Sequence, residues 1–232
     1  ILNSNLKREF NYKNKELNIF NLSFRNNNLY FNNKSKIIFD PFLNIKSNFK
    51  IREINTEILK KLEIEKFLMS KNIIKKINGN YEINFNSKKF SRDFIDKFHL
   101  KIDLAHGKIN YIKKTLFSDN IFDCNGTINL LEENPLLYFD CFFNSNDKQK
   151  LLKIFSLKKK NKDEKLKLIV NGNLNILNQK VNFEKILINE NYDASKEDLK
   201  FFKNTFENIL FRQSFSQIFN LKKIKEYILE VS

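Results

Sequence analysis

The sequence predicts a mainly β chain with C-terminal helices, its strands forming a curved, antiparallel repeat sheet with an open groove. Three observations carry this. Apolar and polar residues alternate with period two through most of the 232 residues, the pattern of strands with one dry and one wet face. An Asn-Gly motif returns at nearly constant spacing. After Ser195 the apolar spacing changes to steps of three and four, the period of an amphipathic helix.

The strands can be read in order. Leu43, Ile45, Ser47, Phe49 and Ile51 line one face, against Asn44, Lys46, Asn48, Lys50 and Arg52 on the other. Ile77, Gly79, Tyr81, Ile83 and Phe85 oppose Asn78, Asn80, Glu82 and Asn84, and Phe98, Leu100, Ile102 and Leu104 oppose His99, Lys101 and Asp103. The longest stripe runs Leu166, Leu168, Val170, Gly172, Leu174, Ile176. One dry face per strand favours antiparallel pairing. Thr56 to Met69, with Ile58, Leu59, Leu62 and Met69 among Glu and Lys, interrupts the pattern as a short helix; Asp147 to Leu157 is a weaker helical segment.

The repeat is carried by Asn78-Gly79-Asn80-Tyr81-Glu82-Ile83, Asn125-Gly126-Thr127-Ile128-Asn129-Leu130 and Asn171-Gly172-Asn173-Leu174-Asn175-Ile176, whose glycines lie 47 and 46 residues apart. Three of the 4 glycines follow it. Glycine inside a strand marks a bend, a bulge or a close approach, so these three are expected at similar height in adjacent or near-adjacent strands. The last part of the chain forms two helices. One opens at Ser195 with Asp198 three residues on, a capping pair, and buries Leu199, Phe202, Phe206, Ile209 and Leu210. The other follows Ser214 and buries Phe215, Ile218, Phe219, Ile224, Tyr227, Ile228 and Val231. The expected organisation is therefore a repetitive sheet over 1–192, with the short helix near 56–69, and a helical cap over 193–232.

The net charge is +15, from 42 Lys and Arg against 27 Asp and Glu. Such a balance suits an anionic partner. However, Lys, Asn, Ile and Phe are abundant together while Trp is 0, Gly 4 and Pro 2, the bias of AT-rich codons, so charge alone names no partner. Nor do the 25 Phe mark a nucleic-acid platform. Such platforms mix aromatic and basic residues on one face, whereas here Phe49, Phe85 and Phe98 share the stripe of Ile and Leu and the lysines lie opposite.

Nothing in the sequence suggests an enzyme. There is no phosphate-binding loop, nucleophile elbow or H-E-x-x-H run. His99 sits on a wet face and His106 beside the turn at Gly107, so neither reads as a metal ligand, and no cofactor is expected. Lys158, Lys159 and Lys160 read as a solvated loop. Cys124 and Cys141 lack metal-ligand spacing. A hairpin turn at Glu132-Glu133-Asn134-Pro135 would set Cys124 opposite Phe143 and Cys141 opposite Gly126, so no disulfide is expected. The start at Ile1, with no signal-like apolar run and no stretch of eighteen apolar residues, reads as a piece of a longer protein without a spanning helix of its own.

The N-G-x-φ-x-φ strands, the acidic and Asn-rich turns, and the close Asp198-Leu199-Lys200-Phe201-Phe202 … Ile218-Phe219-Asn220 … Ile224-Lys225 resemble the C-terminal part of the AsmA-like family of bacterial envelope proteins, over roughly residues 70–232. The resemblance implies an inner-membrane anchor outside this sequence and a periplasmic β-groove related to bridge-like lipid transporters. The function it implies is the binding or conduction of phospholipid between inner and outer membranes, in support of outer-membrane biogenesis. The implied partners are phospholipid acyl chains and bacterial membranes, with no nucleic acid. The residues expected to line the groove are Tyr81, Ile83, Leu100, Ile102, Ile128, Leu130, Leu168, Val170, Leu174 and Ile176. Two other readings stand beside this one: a structural or interaction β-protein of the envelope with a filled core, and a basic nucleic-acid-binding protein.

Overall fold

The computed structural model describes residues 4–55, 71–87, 95–147, 149, 152, 165–211 and 220–231. They form one open sheet of twelve strands in which every strand lies next to its sequence neighbour. The sheet is curved, is not closed into a barrel, and makes the chain 61% strand. In order the strands are β1 (Asn5–Lys13), β2 (Glu16–Arg25), β3 (Leu29–Ile38), β4 (Leu43–Ile54), β5 (Ile77–Asn86), β6 (Lys97–Ala105), β7 (Lys108–Phe117), β8 (Asn120–Asn129), β9 (Leu136–Ser145), β10 (Leu166–Asn175), β11 (Lys180–Ile188) and β12 (Tyr192–Asp193). A short helix, α1 (Lys71–Ile74), precedes β5, and α2 (Lys196–Leu210) and α3 (Leu221–Val231) follow the sheet.

The sheet departs from the expected pattern at one place: β4 and β5 are parallel, with Phe49 beside Ile83 and Ser47 beside Tyr81. Parallel neighbours need a crossover of a dozen residues or more, and residues 55–76 supply one. The two strands run the same way because that segment returns the chain to the end at which β4 began. Alternation within a strand does not record direction, so this reversal is invisible in the pattern.

The tight hairpins explain the rest of the meander. Asn14-Lys15, His106-Gly107 and Ser118-Asp119 each hold two successive positive φ angles (52° and 60°, 48° and 79°, 46° and 66°). Two-residue loops of this kind match the right-handed twist of the strands they join. Register shifts between Glu9 and Phe10, Ile19 and Leu22, Tyr30 and Phe31, and Asn171 and Gly172 are bulges, which increase local twist and bend the strand.

Helix α2 begins as expected. Ser195 accepts from the Asp198 amide, and the Asp198 carboxylate accepts from the Ser195 amide, a complete capping box. Its inner face meets β11, with the Phe206 ring 5.7 Å from Phe183 and 5.5 Å from Tyr227 of α3. Leu174, Val181 and Phe211 are buried there. A second buried cluster, Ile74, Ile128, Leu130 and Ile176, sits where α1 meets the ends of β8 and β10. The helix expected near 56–69 and the first part of the one expected after Ser214, through Phe219, lie outside the described residues, as do Lys158 to Lys160; the rest of the latter helix is α3. Of the segment 147–157, only Gln149 and Leu152 are described within a helix.

Candidate functional site: the apolar face of the sheet

From β4 to β10 the pairing registers run without a shift, so the alternating patterns of separate strands merge into one surface. One row runs Phe49, Ile83, Leu100, Lys113, Cys124, Cys141, Val170 from β4 to β10. The next runs Ser47, Tyr81, Ile102, Tyr111, Gly126, Phe139, Gly172. On the β1–β4 side the same face continues through Tyr12, Leu17, Ile37 and Ile45. On the other side it reaches Val181, Phe183, Ile186 and Ile188 of β11.

All ten expected lining residues lie along this one surface. Ile83, Leu100 and Val170 fall in one row, Tyr81 and Ile102 in another, and Ile128 and Leu174 in a third, joined by Leu137. Their burial divides them. Tyr81, Ile83, Leu100, Ile102, Leu168 and Val170 are half-buried, whereas Ile128, Leu130, Leu174 and Ile176 are buried in two adjacent clusters that share Leu137. Leu130 and Ile176 sit just past their strands, where they pack beneath α1. Sequence reasoning missed the contributions of β7 and β9, including Tyr111, Thr115, Phe139 and Phe143, although their alternation was there to be read.

Gly126 and Gly172 share a row, both opposite Phe139, while Gly79 lies one row away, beside Leu104. The expected common level therefore holds for two glycines, and the third is displaced by two residues along its strand, three strands from Gly126. The reason for glycine is the same at each site. A Cβ on Gly126 would strike the Tyr138 carbonyl oxygen and come within 2.8 Å of the Tyr111 ring; on Gly172 it would strike the Asn182 carbonyl oxygen and approach Phe139 to 3.0 Å. An aromatic ring thus lies over each gap, the arrangement in which a ring shields an exposed strand backbone.

The expected absence of a disulfide is overturned. Cys124 and Cys141 are direct cross-strand partners and are bonded to each other. The β8–β9 connection is centred between Glu132 and Glu133, since Ile128 pairs with Leu137. Moving the turn centre by one residue moves every cross-strand partner by two, which turns a diagonal pair of thiols into an opposed one.

Polar groups on the apolar face are few, and most are satisfied. Asn33 donates to Ser47 at 2.8 Å, Ser35 donates to Asn33 at 2.6 Å, and the Ser35 and Ser47 hydroxyls are 2.6 Å apart. Burial raises the Tyr81 phenol and pushes that of Tyr111 up to about 12, the latter with help from the negative charge of Asp140. Lys113 is half-buried, its ammonium 4.0 Å over the Phe122 ring. Burial lowers its pKa to about 8, against the opposing pull of Asp123.

The wet face is built from Asn–carboxylate ladders: Asn48 donates to Glu82 at 2.8 Å, Asn80 to Asp103 at 2.5 Å, and Asn171 to Asp140. His99 joins them, its Nδ1 2.8 Å from Asn84. There β2 to β6 surround a shallow hollow of about 510 Å³ whose lining includes Lys34, Lys36, Lys46, Lys101, Asn48 and Glu82. This face is not purely polar, for Ile112, Tyr138 and Phe142 are exposed on it. Among the described residues no group of three His, Cys, Asp or Glu could hold a metal ion, and no helix is long and apolar enough to cross a membrane.

No protein-family model, curated protein or solved structure matches the chain. The functional reading therefore rests on the face itself.

Proposed function

We propose that this chain is a lipid-binding β-groove segment of an AsmA-like envelope protein, holding acyl chains along its apolar face without chemistry of its own. The observation that carries this reading is the continuity of that face. From β1 to β11 the registers keep one side apolar, and the described terminal helices pack at its β11 end. An acyl chain in water costs about 0.8 kcal/mol per exposed CH₂. A trough that is apolar along its length removes this cost at every step, so a chain slides without a large barrier while the head group stays in water. The Cys124–Cys141 bond supports a periplasmic location, because disulfides persist in oxidising compartments. On this reading the membrane anchor belongs to a part of the protein outside this sequence.

A second reading, an envelope β-protein with a filled core, is favoured by the two buried clusters that adjoin at Leu137. The two readings part at Ile102, half-buried in the middle of β6. The protein and its Ile102→Asp variant are purified from bacterial membranes, extracted for lipid and compared by circular dichroism. A folded variant stripped of co-purifying lipid supports the groove. Unfolding indicates a filled core, where an unpaired charge is not tolerated. Lipid retained at the normal level by a folded variant overturns the groove.

A further inference from the structure

The apolar face carries two charged side chains at its paired positions in β1–β11, Arg8 near the outer edge and Lys113 in the middle, and among the described residues it carries no carboxylate. Asp123, the nearest acid in the neighbouring strand, pairs with Lys114 and so belongs to the opposite face. The Lys113 ammonium has no ion pair or hydrogen bond among the described residues; its contact is with the face of Phe122, at 4.0 Å. Two residues along the same face, Thr115 is buried and its Oγ1 has no hydrogen-bond partner among the described residues.

We propose that Lys113 is the anchor at which the groove receives the anionic head of an amphiphile. The inference rests on the groove reading and deepens it. A half-buried ammonium whose nearest counter-charge, Asp123, faces the other side of the sheet costs free energy that an apolar side chain would not. An incoming carboxylate or phosphate removes that cost and gains a charge-assisted hydrogen bond. The surroundings select a head with a tail: the ammonium lies over the Phe122 ring, Leu100 is the cross-strand neighbour of Lys113, and Ile83, Ile102, Phe98 and Phe143 extend the apolar surface around them. A small hydrated anion would lose water there and gain nothing from its neighbours. The groove is then no uniform slide. It has a preferred stop for anionic chains midway along β7, and neutral chains pass it without a hold.

The test is displacement of a neutral apolar fluorophore, N-phenyl-1-naphthylamine, from the purified protein at pH 7. The competitors are oleate, oleyl alcohol and inorganic phosphate, applied to wild type, Lys113→Met and Lys113→Arg. Oleate is expected to bind about tenfold or more tighter than oleyl alcohol, the size of one hydrogen bond to a charged group. Lys113→Met should abolish that preference with oleyl alcohol unchanged, and Lys113→Arg should keep it. Equal binding of oleate and oleyl alcohol to wild type, or an oleate preference that survives in Lys113→Met, overturns the anchor and leaves the groove standing. Competition by phosphate as strong as by oleate also overturns it, in favour of a plain anion site. Failure of oleate and oleyl alcohol alike to displace the dye overturns anchor and groove together.

Discussion

At the scale of single residues, the sheet is most sensitive where side chains were given up or misplaced by the usual rules. Gly126 lies beneath the Tyr111 ring with the Tyr138 carbonyl against its missing side chain. Backbone oxygen cannot move aside as a flexible side chain can, so Gly126→Ala is expected to destabilise the fold by about 2 kcal/mol, within the range of overpacking changes. A urea unfolding midpoint unchanged from wild type would show that the strand yields. Lys113 gives a pH signature. Burial holds its folded pKa near 8, below its ordinary 10.5, so between these values the unfolded chain binds more protons and stability rises with pH. Lys113→Met removes this titration. The stability advantage of the variant over wild type should therefore narrow between pH 7 and pH 10, by up to about 3 kcal/mol. Burial raises Tyr111 and Tyr227 to about 12; that effect is lost only as pH climbs above 10, so the comparison stops there.

At the scale of elements, the β8–β9 hairpin is the most strongly tied part of the sheet. Its disulfide joins residues 17 apart in sequence, and closing a loop of that size stabilises by about 3 kcal/mol in the chain-entropy account. Replacing both cysteines by alanine should lower the unfolding free energy by about that amount while the strand content in circular dichroism stays the same. A loss of strand signal in the folded variant would mean that the bond sets the register. In that view the bond would do more than reinforce a register already set by the apolar rows. The two edges of the sheet contrast with this. At one end α2 and the two-residue β12 cover β11. At the other, every residue of β1 is exposed, Leu6, Phe10 and Tyr12 by more than half. Edge strands of this kind invite pairing with another strand.

At the scale of the whole molecule, the packed clusters of the apolar face and its half-buried stretch should answer differently to the same chemical insult. Leu174 is 7% exposed and packs with Val181 and Phe211, whereas Ile102 is half-buried in the middle of β6. Leu174→Asp leaves an unpaired charge inside a packed cluster, and a loss of about 3–5 kcal/mol is expected. In the groove reading Ile102→Asp costs far less stability but abolishes lipid retention. Thermal melts of the two variants, run beside lipid extraction, separate the effects. Equal destabilisation by both would argue that the face is one continuous core.

Which face of each strand is apolar is legible in the sequence alone. Period two is a property of the strand backbone, so the stripes at 43–51, 77–85, 98–104 and 166–176 could be read without knowing any partner, and the Ser195–Asp198 cap is equally local. Pairing was decided only in the tertiary structure. The parallel β4–β5 contact depends on where the 55–76 crossover delivers the chain, and alternation reads the same in either direction. The Cys124–Cys141 bond depends on a turn centre placed to one residue, and six turn-forming residues between two strands do not define that centre. The surroundings of Lys113 depend on the β6–β7 and β7–β8 registers, because its neighbours Leu100 and Cys124 come from those other strands. A charge at an apolar position is visible in sequence, but only the register shows whether a counter-charge faces it, since side-chain orientation is local while cross-strand proximity is not.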